Sequence, residues 1–183
     1  MERKGTLYFF TGLAGAGKST IGRLFYQKLK AQRNDILLFD GDVGRAISQD
    51  ADYSNEARLQ SCRRGMGVYK QITDQGVDVV CCIIGMFEEV RAWYRANIEN
   101  YRVIYVKASM ETLYRRDQKG LYTSGAKQVV GVDLPWEEPQ DPDVLIENDG
   151  AETPEEIVDR LLLTFGLTED KHGVQPYDRP ARK

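Results

Sequence analysis

Short, almost unbroken apolar runs alternate along the chain with longer stretches in which apolar residues return every third or fourth position. The runs Thr6–Phe10, Ile36–Phe39, Val77–Ile84, Val103–Val106 and Val144–Ile146 predict strands. Their continuous apolarity is the mark of a parallel sheet covered on both faces. Between the second and third runs, Leu59, Cys62, Met66, Tyr69 and Ile72 recur at helical spacing and predict a long helix over Ser54–Gln75, with Gly76 to close it. Gly65 and Gly67 oppose that helix, since each costs about 1 kcal/mol against Ala. Shorter helices are predicted over Phe87–Ile98 and Met110–Arg116. A final helix is signalled by Thr153 as cap, Pro154 at the first helical position and Glu156 completing a capping box, with Ile157, Leu161 and Leu162 as its buried stripe. Strand and helix in alternation give an α/β fold of three layers: a parallel five-stranded sheet with helices on both faces.

Two regions break this rhythm. Lys119–Pro142 has little periodicity, several glycines and prolines and mixed charge; so long an irregular stretch in a compact domain is expected to be a lid. The segment from Thr168 to Lys183 is polar, carries two prolines and is expected to be disordered or to lie against a partner. The expected organisation is thus one domain over residues 1–167 followed by a polar tail over 168–183.

Composition narrows the function classes. The chain has 183 residues, 42% of them hydrophobic, and a net charge of -3, so it gives no support to a nucleic-acid or membrane-surface role. No run approaches the length of a membrane span, and no secretory signal is expected, because the first five residues lead straight into the first strand. Cys62, Cys81 and Cys82 lack metal-ligand spacing and read as packed thiols of a cytoplasmic protein. His172 is the only histidine and sits among polar residues, which nearly excludes a Ser–His or Cys–His mechanism.

The chemistry concentrates in Gly12-Leu13-Ala14-Gly15-Ala16-Gly17-Lys18-Ser19, which fits the phosphate-loop pattern of two glycines followed by Lys and Ser. An apolar strand precedes it and Thr20–Phe25 reads as a helix behind it, the arrangement of a P-loop NTPase fold. Glycines let backbone amides turn inward, and the helix dipole adds partial positive charge where phosphates sit. Gly12, Ala14, Gly15, Ala16, Gly17, Lys18, Ser19 and Thr20 are therefore expected to bind ATP, with Lys18 at the β- and γ-phosphates and Ser19 on Mg²⁺. Asp40-Gly41-Asp42 follows the second strand, where ligands of open parallel sheets bind. Two carboxylates there can hold Mg²⁺ or its waters (Asp40, with Ser19) and orient an attacking hydroxyl; which Asp acts as base stays open between Asp40 and Asp42. In isolation the same tripeptide would read as a turn. Arg45 and Arg58 suit an anionic acceptor, Arg63 and Arg64 read as a solvated helix face, and Arg116 is expected at the nucleotide.

These residues resemble the adenylylsulfate (APS) kinase family over about Thr6–Gly166. The resemblance rests on the phosphate loop, Asp40-Gly41-Asp42-Val43-Gly44-Arg45, Arg63-Arg64, Arg116-Asp117-Gln118-Lys119-Gly120-Leu121-Tyr122, Gly131-Val132-Asp133-Leu134-Pro135-Trp136-Glu137 and Pro139-Gln140-Asp141-Pro142-Asp143. It implies a Mg·ATP-dependent kinase that phosphorylates the 3′-hydroxyl of adenosine 5′-phosphosulfate. It further implies that Asp42, Arg45, Tyr53, Arg58, Gly85, Lys119, Leu121 and Val129 face a small-molecule nucleotide acceptor, and it is compatible with a homodimer. The departures gather on the acceptor side. Val129 stands where the family places a stacking aromatic, while the opposing Tyr53 is kept. The family's Ser-Pro-Tyr-Arg becomes Gly85-Met86-Phe87-Glu88, an exchange of charge that would disfavour an anion nearby if Glu88 faces the pocket. Asp-Arg becomes Ala57-Arg58, an Asn becomes Ser61, and the lid between Tyr122 and Gly131 is shorter. APS therefore leads as acceptor, with a cytidine diphosphoramidate kinase of capsule modification as the alternative and a nucleotide-binding switch without turnover as a third reading.

Overall fold

The computed structural model describes residues 3–49, 52–117 and 120–168. The expectations for Lys119 and for the tail beyond Thr168 fall outside these residues. Five strands form one parallel sheet: β1 Thr6–Thr11, β2 Ile36–Asp40, β3 Asp78–Cys82, β4 Asn100–Lys107 and β5 Val144–Glu147, in the order β2-β3-β1-β4-β5. The helices are α1 Lys18–Lys30, α2 Gly41–Ser48, α3 Asn55–Asp74, α4 Glu88–Asn97, α5 Met110–Arg116 and α6 Pro154–Thr164. Each strand pairs in parallel with its neighbours, Leu7 opposite Val79 on one side and Tyr101 on the other.

The two-residue period of a strand divides the core into two halves. Tyr8 and Phe10 of β1, Val80 and Cys82 of β3, and Ile104 and Val106 of β4 face one layer, where they meet Ile21, Phe25 and Leu29 of α1 and Ile157, Val158 and Leu161 of α6. The alternate residues Leu7, Phe9, Val79, Cys81, Tyr101 and Val103 face the other, against Tyr69 of α3 and Val90 and Tyr94 of α4. Every residue of β3 is buried, which explains why its sequence is apolar without alternation. Cys81 and Cys82 lie in this strand with burial raising both thiols far from the thiolate range, so they act as small apolar packing groups.

Helix ends follow the sequence signals. Ser54 caps α3 by accepting from the Ala57 amide, and Thr153 and Glu156 form the expected capping box of α6. Helix α2 was not among the expected elements: it is short, its apolar residues Val43 and Ile47 are exposed, and the Asp40 carboxylate caps it at the Asp42 amide.

Among the described residues no helix is long and apolar enough to cross a membrane. At Gly22, where α1 crosses the sheet, a Cβ would stand 2.2 Å from Cys82 Sγ and 3.5 Å from the Phe10 ring. Gly22→Ala is expected to lower stability by about 1–3 kcal/mol through overpacking. Gly44→Ala on α2 meets nothing within 4 Å and is expected to stabilise by about 0.4–1 kcal/mol. Thermal unfolding of the two variants checks the opposite signs.

Candidate active site

Because β2, β3 and β1 are neighbours in the sheet and run in parallel, the segments that leave their carboxyl ends open side by side. These are Asp40 at the end of β2, the loop around Gly85 after β3, and the phosphate loop after β1. Such an edge is where open α/β sheets bind ligands.

The phosphate loop requires glycine at its two ends for steric reasons. Gly12 has φ 146° and a Cβ there would lie 2.1 Å from the Val106 carbonyl; Gly17, at φ 106°, leaves room for the Asn148 amide, which a Cβ would approach to 2.4 Å. Gly17 caps α1 without a side-chain hydrogen bond and no acidic residue follows in the first turn, so the positive end of the helix is not countered from within. The carbonyls of the loop are met by side chains. Lys18 Nζ donates to Leu13 O at 2.8 Å, Tyr122 Oη to Ala14 O at 2.7 Å, Arg116 Nη1 to Gly15 O at 3.3 Å and Asn148 Nδ2 to Ala16 O at 2.7 Å. Arg116 also donates to Asn148 O at 2.8 Å, which ties the two supports together. Arg116 thus lies at the loop, as its expected role at a nucleotide requires. Thr20 is exposed in the first turn of α1. Asn148 carries no such signal in the sequence, because Asn148-Asp149-Gly150 after a strand reads as a turn.

Ser19 and Asp40 come together from α1 and β2. Burial opposes ionisation of Asp40, yet hydrogen bonds from Ser19, Arg23 and the Asp42 amide, with the Arg23 charge, hold its carboxyl below the usual carboxylate range. Arg23 Nη2 stands 3.0 Å from Asp40 Oδ2. A hydroxyl and a carboxylate are the hard oxygen donors that Mg²⁺ takes alongside substrate phosphates, so this pair fits the cation expected of it. Asp42 sits one helical step beyond, exposed in the first turn of α2. Asp40 caps α2, as the turn reading of Asp40-Gly41-Asp42 expects, and it also stands beside Ser19.

On the acceptor side the structure brings Arg45, Tyr53 and Arg58 together. The Arg45 guanidinium lies 4.7 Å and that of Arg58 5.3 Å from the Tyr53 ring centre. Arg58 donates from Nε to Tyr53 O at 2.9 Å and from Nη2 to Gln128 O at 3.1 Å, which links α3 to the lid. Burial, and then the Arg45 charge, lower the proton affinity of Arg58. The Arg45 charge acting on Arg58 makes this region favourable for a bound anion.

Two residues expected on the acceptor side are engaged within the protein. Val129 is 5% exposed and packs in the core with Ala16 and Tyr122. The reason is local: Asp133 accepts from the Gln128 and Val129 amides at 2.5 Å, and the turn this makes rolls the Val129 side chain inward. Glu88 does not present a free negative charge, because Arg91 binds its Oε2 at 2.7 Å and Arg95 approaches its Oε1 at 3.6 Å. Leu121 packs against the core and Gly85 lies on the loop after β3.

The segment expected as a lid over 119–142 is tied down at several points among the described residues. Asp117 accepts from the Tyr122 amide at 2.8 Å, Gly131 abuts Leu13 of the phosphate loop, and Trp136 lies 6.2 Å from the Tyr105 ring.

Comparison with known proteins adds to this geometry. The sequence model of the adenylylsulphate kinase family matches residues 4–147. The cytidine diphosphoramidate kinase of Campylobacter jejuni is 34% identical over 171 residues, covering 91% of this chain and 100% of that one. The adenylyl-sulfate kinase of Picosynechococcus is 36% identical over 162 residues, 86% of this chain and 92% of its own. The structure of the Mycobacterium tuberculosis APS kinase in complex with AMPPNP and APS superposes with a TM-score of 0.78 at 27% identity, covering 88% of this chain and 97% of that chain.

Removing a loop support should show in anion affinity. Asn148→Ala is expected to weaken tripolyphosphate binding about two- to tenfold in calorimetry, the worth of one hydrogen bond. Asp40, depressed in the folded state, contributes stability that is present above the ordinary Asp pKa of about 3.9 and is lost as pH falls through its lower folded value. Asp40→Asn should flatten that acid limb in thermal melts taken from pH 7 downward.

Proposed function

The chain belongs to the adenylylsulphate kinase family, and we propose that it transfers the γ-phosphate of Mg·ATP to a hydroxyl of a small anionic nucleotide. The observation that carries this reading is the meeting of Lys18 and Ser19 with the Asp40–Asp42 segment at one edge of the sheet. Backbone amides of residues 13–18 and the Lys18 ammonium would hold the β- and γ-phosphates, and Arg116 would flank the nucleotide. Ser19 and Asp40 would hold Mg²⁺, which when bound neutralises charge on those phosphates. Asp40 is held by Ser19, Arg23 and the start of α2, beside the Mg²⁺ position. Asp42, in the first turn of α2, is the residue we assign to orient the acceptor hydroxyl and take its proton as the new O–P bond forms and the bond to the β-phosphate oxygen breaks. Arg45 and Arg58 receive the acceptor's anionic end.

Val129 offers no aromatic wall to a purine, and a pyrimidine nucleotide of the cytidine diphosphoramidate type is the acceptor we favour, a choice that the full-length relative in Campylobacter jejuni supports. APS is the second reading, favoured by the adenylyl-sulfate kinases among the relatives. A missing stacking wall is worth about 1–3 kcal/mol, roughly ten- to a hundredfold.

Incubation with Mg·ATP and either CDP-phosphoramidate or APS, following ADP, is expected to give acceptor-dependent turnover, with kcat/KM higher for the cytidine nucleotide. Higher kcat/KM for APS overturns the order of acceptors. ADP release that ignores both acceptors overturns the kinase reading and favours a nucleotide-binding switch.

A further inference from the structure

Arg91 is the largest fully buried side chain of the protein's described residues, 1% exposed, yet it is charged. Every nitrogen of its guanidinium is used. Nε donates to Glu88 Oε2 at 2.8 Å, Nη1 to the Gly85 carbonyl at 2.5 Å and Nη2 to the Glu137 carbonyl at 2.6 Å. Nη2 also pairs with Glu88 Oε2 at 2.7 Å, and the group lies 6.0 Å from the Trp136 ring. A second bond closes the same circle, from the Glu88 amide to the Glu137 carboxylate.

One ion therefore joins three segments: the loop after β3, the start of α4, and residues 136–138 where the lid returns to the sheet. Burying a charge is a poor way to gain stability, since an apolar side chain of the same volume does as well or better. What the guanidinium provides and an apolar group cannot is a fixed position for two backbone carbonyls from separate segments. Gly85 adds to the constraint from beneath, where a Cβ would come within 2.6 Å of the Phe9 ring. The loop lies on β3, next in the sheet to β2 and hence to Asp40, while the other end of the lid reaches Arg58 through Gln128.

We propose that Arg91 is a positioning residue for the acceptor half of the site, locking the loop at Gly85 to the returning lid so that the acceptor's hydroxyl meets the donor phosphate in register. The negative charge of Glu88 is the counter-ion of this clamp, with Arg95 on its far side. It is not a specificity charge toward the acceptor. The kinetic consequence rests on the kinase reading above; the mechanical consequence does not.

Arg91→Met and Arg91→Lys test it, with Glu88→Gln, a half-exposed position, as the variant that keeps the test open if a buried substitution prevents folding. With the better acceptor, kcat/KM for the acceptor should fall about ten- to a hundredfold in Arg91→Met, the cost of misplaced reactants, while KM for ATP stays unchanged. Arg91→Lys should recover part of the loss. Hydrogen exchange should speed up at residues 83–88 and 135–138 and stay unchanged at 12–19. Parallel losses in acceptor and ATP kinetics, or faster exchange spread over the whole sheet, would mark Arg91 as merely structural and overturn the proposal. If the wild type turns over neither acceptor, the function fails alone, and the exchange pattern still decides the clamp.

Discussion

The backbone between Gly12 and Gly17 cannot turn its amides toward one ligand without turning its carbonyls toward the protein. Those carbonyls lie at the edge of a sheet, partly shielded from water, and each needs a donor. The surrounding elements supply them: α1 through Lys18, the lid through Tyr122, α5 through Arg116 and the end of β5 through Asn148. The loop is thus a part of the fold, and the lid, the last strand and α5 are all held in place by meeting it. A preorganised cradle of this kind costs no reorganisation when a charged ligand arrives.

The proposed acceptor half is built on different principles. No glycine cradle shapes it; charged side chains hold backbone segments to one another. Arg58 fastens the lid at Gln128 to Tyr53, and Arg91 fastens the far end of the lid at Glu137 to the loop at Gly85. Donor and acceptor halves share the sheet edge and the lid, but they are secured by separate bonds. Two of the departures from the family pattern, Gly85 and Glu88, fall at the loop after β3 and the start of α4, where Arg91 binds.

What was legible in the sequence follows from how local each signal is. Strands showed because both faces of the sheet are covered and their residues are uniformly apolar; α3 and α6 showed because caps and a buried stripe agree. The phosphate loop showed because its geometry forces glycine at fixed spacing. Helix α2 did not, since it is short and its apolar residues Val43 and Ile47 are exposed. Asn148 and Arg91 were hidden for a further reason: the Ala16 carbonyl lies 132 residues from Asn148 and the Glu137 carbonyl 46 residues from Arg91, so only the folded chain gives them these roles. The settings of Val129 and Glu88 come from nearer contacts, with Asp133 and with Arg91.

Calorimetric titration with Mg·AMPPNP, on the wild type and on Lys18→Met, tests most directly whether this preformed loop is a nucleoside triphosphate site. One nucleotide should bind per chain without any acceptor present, and the substitution should weaken it about ten- to a hundredfold, the worth of one charge-assisted hydrogen bond. No binding until acceptor is added, or equal affinity in the two proteins, would contradict the account.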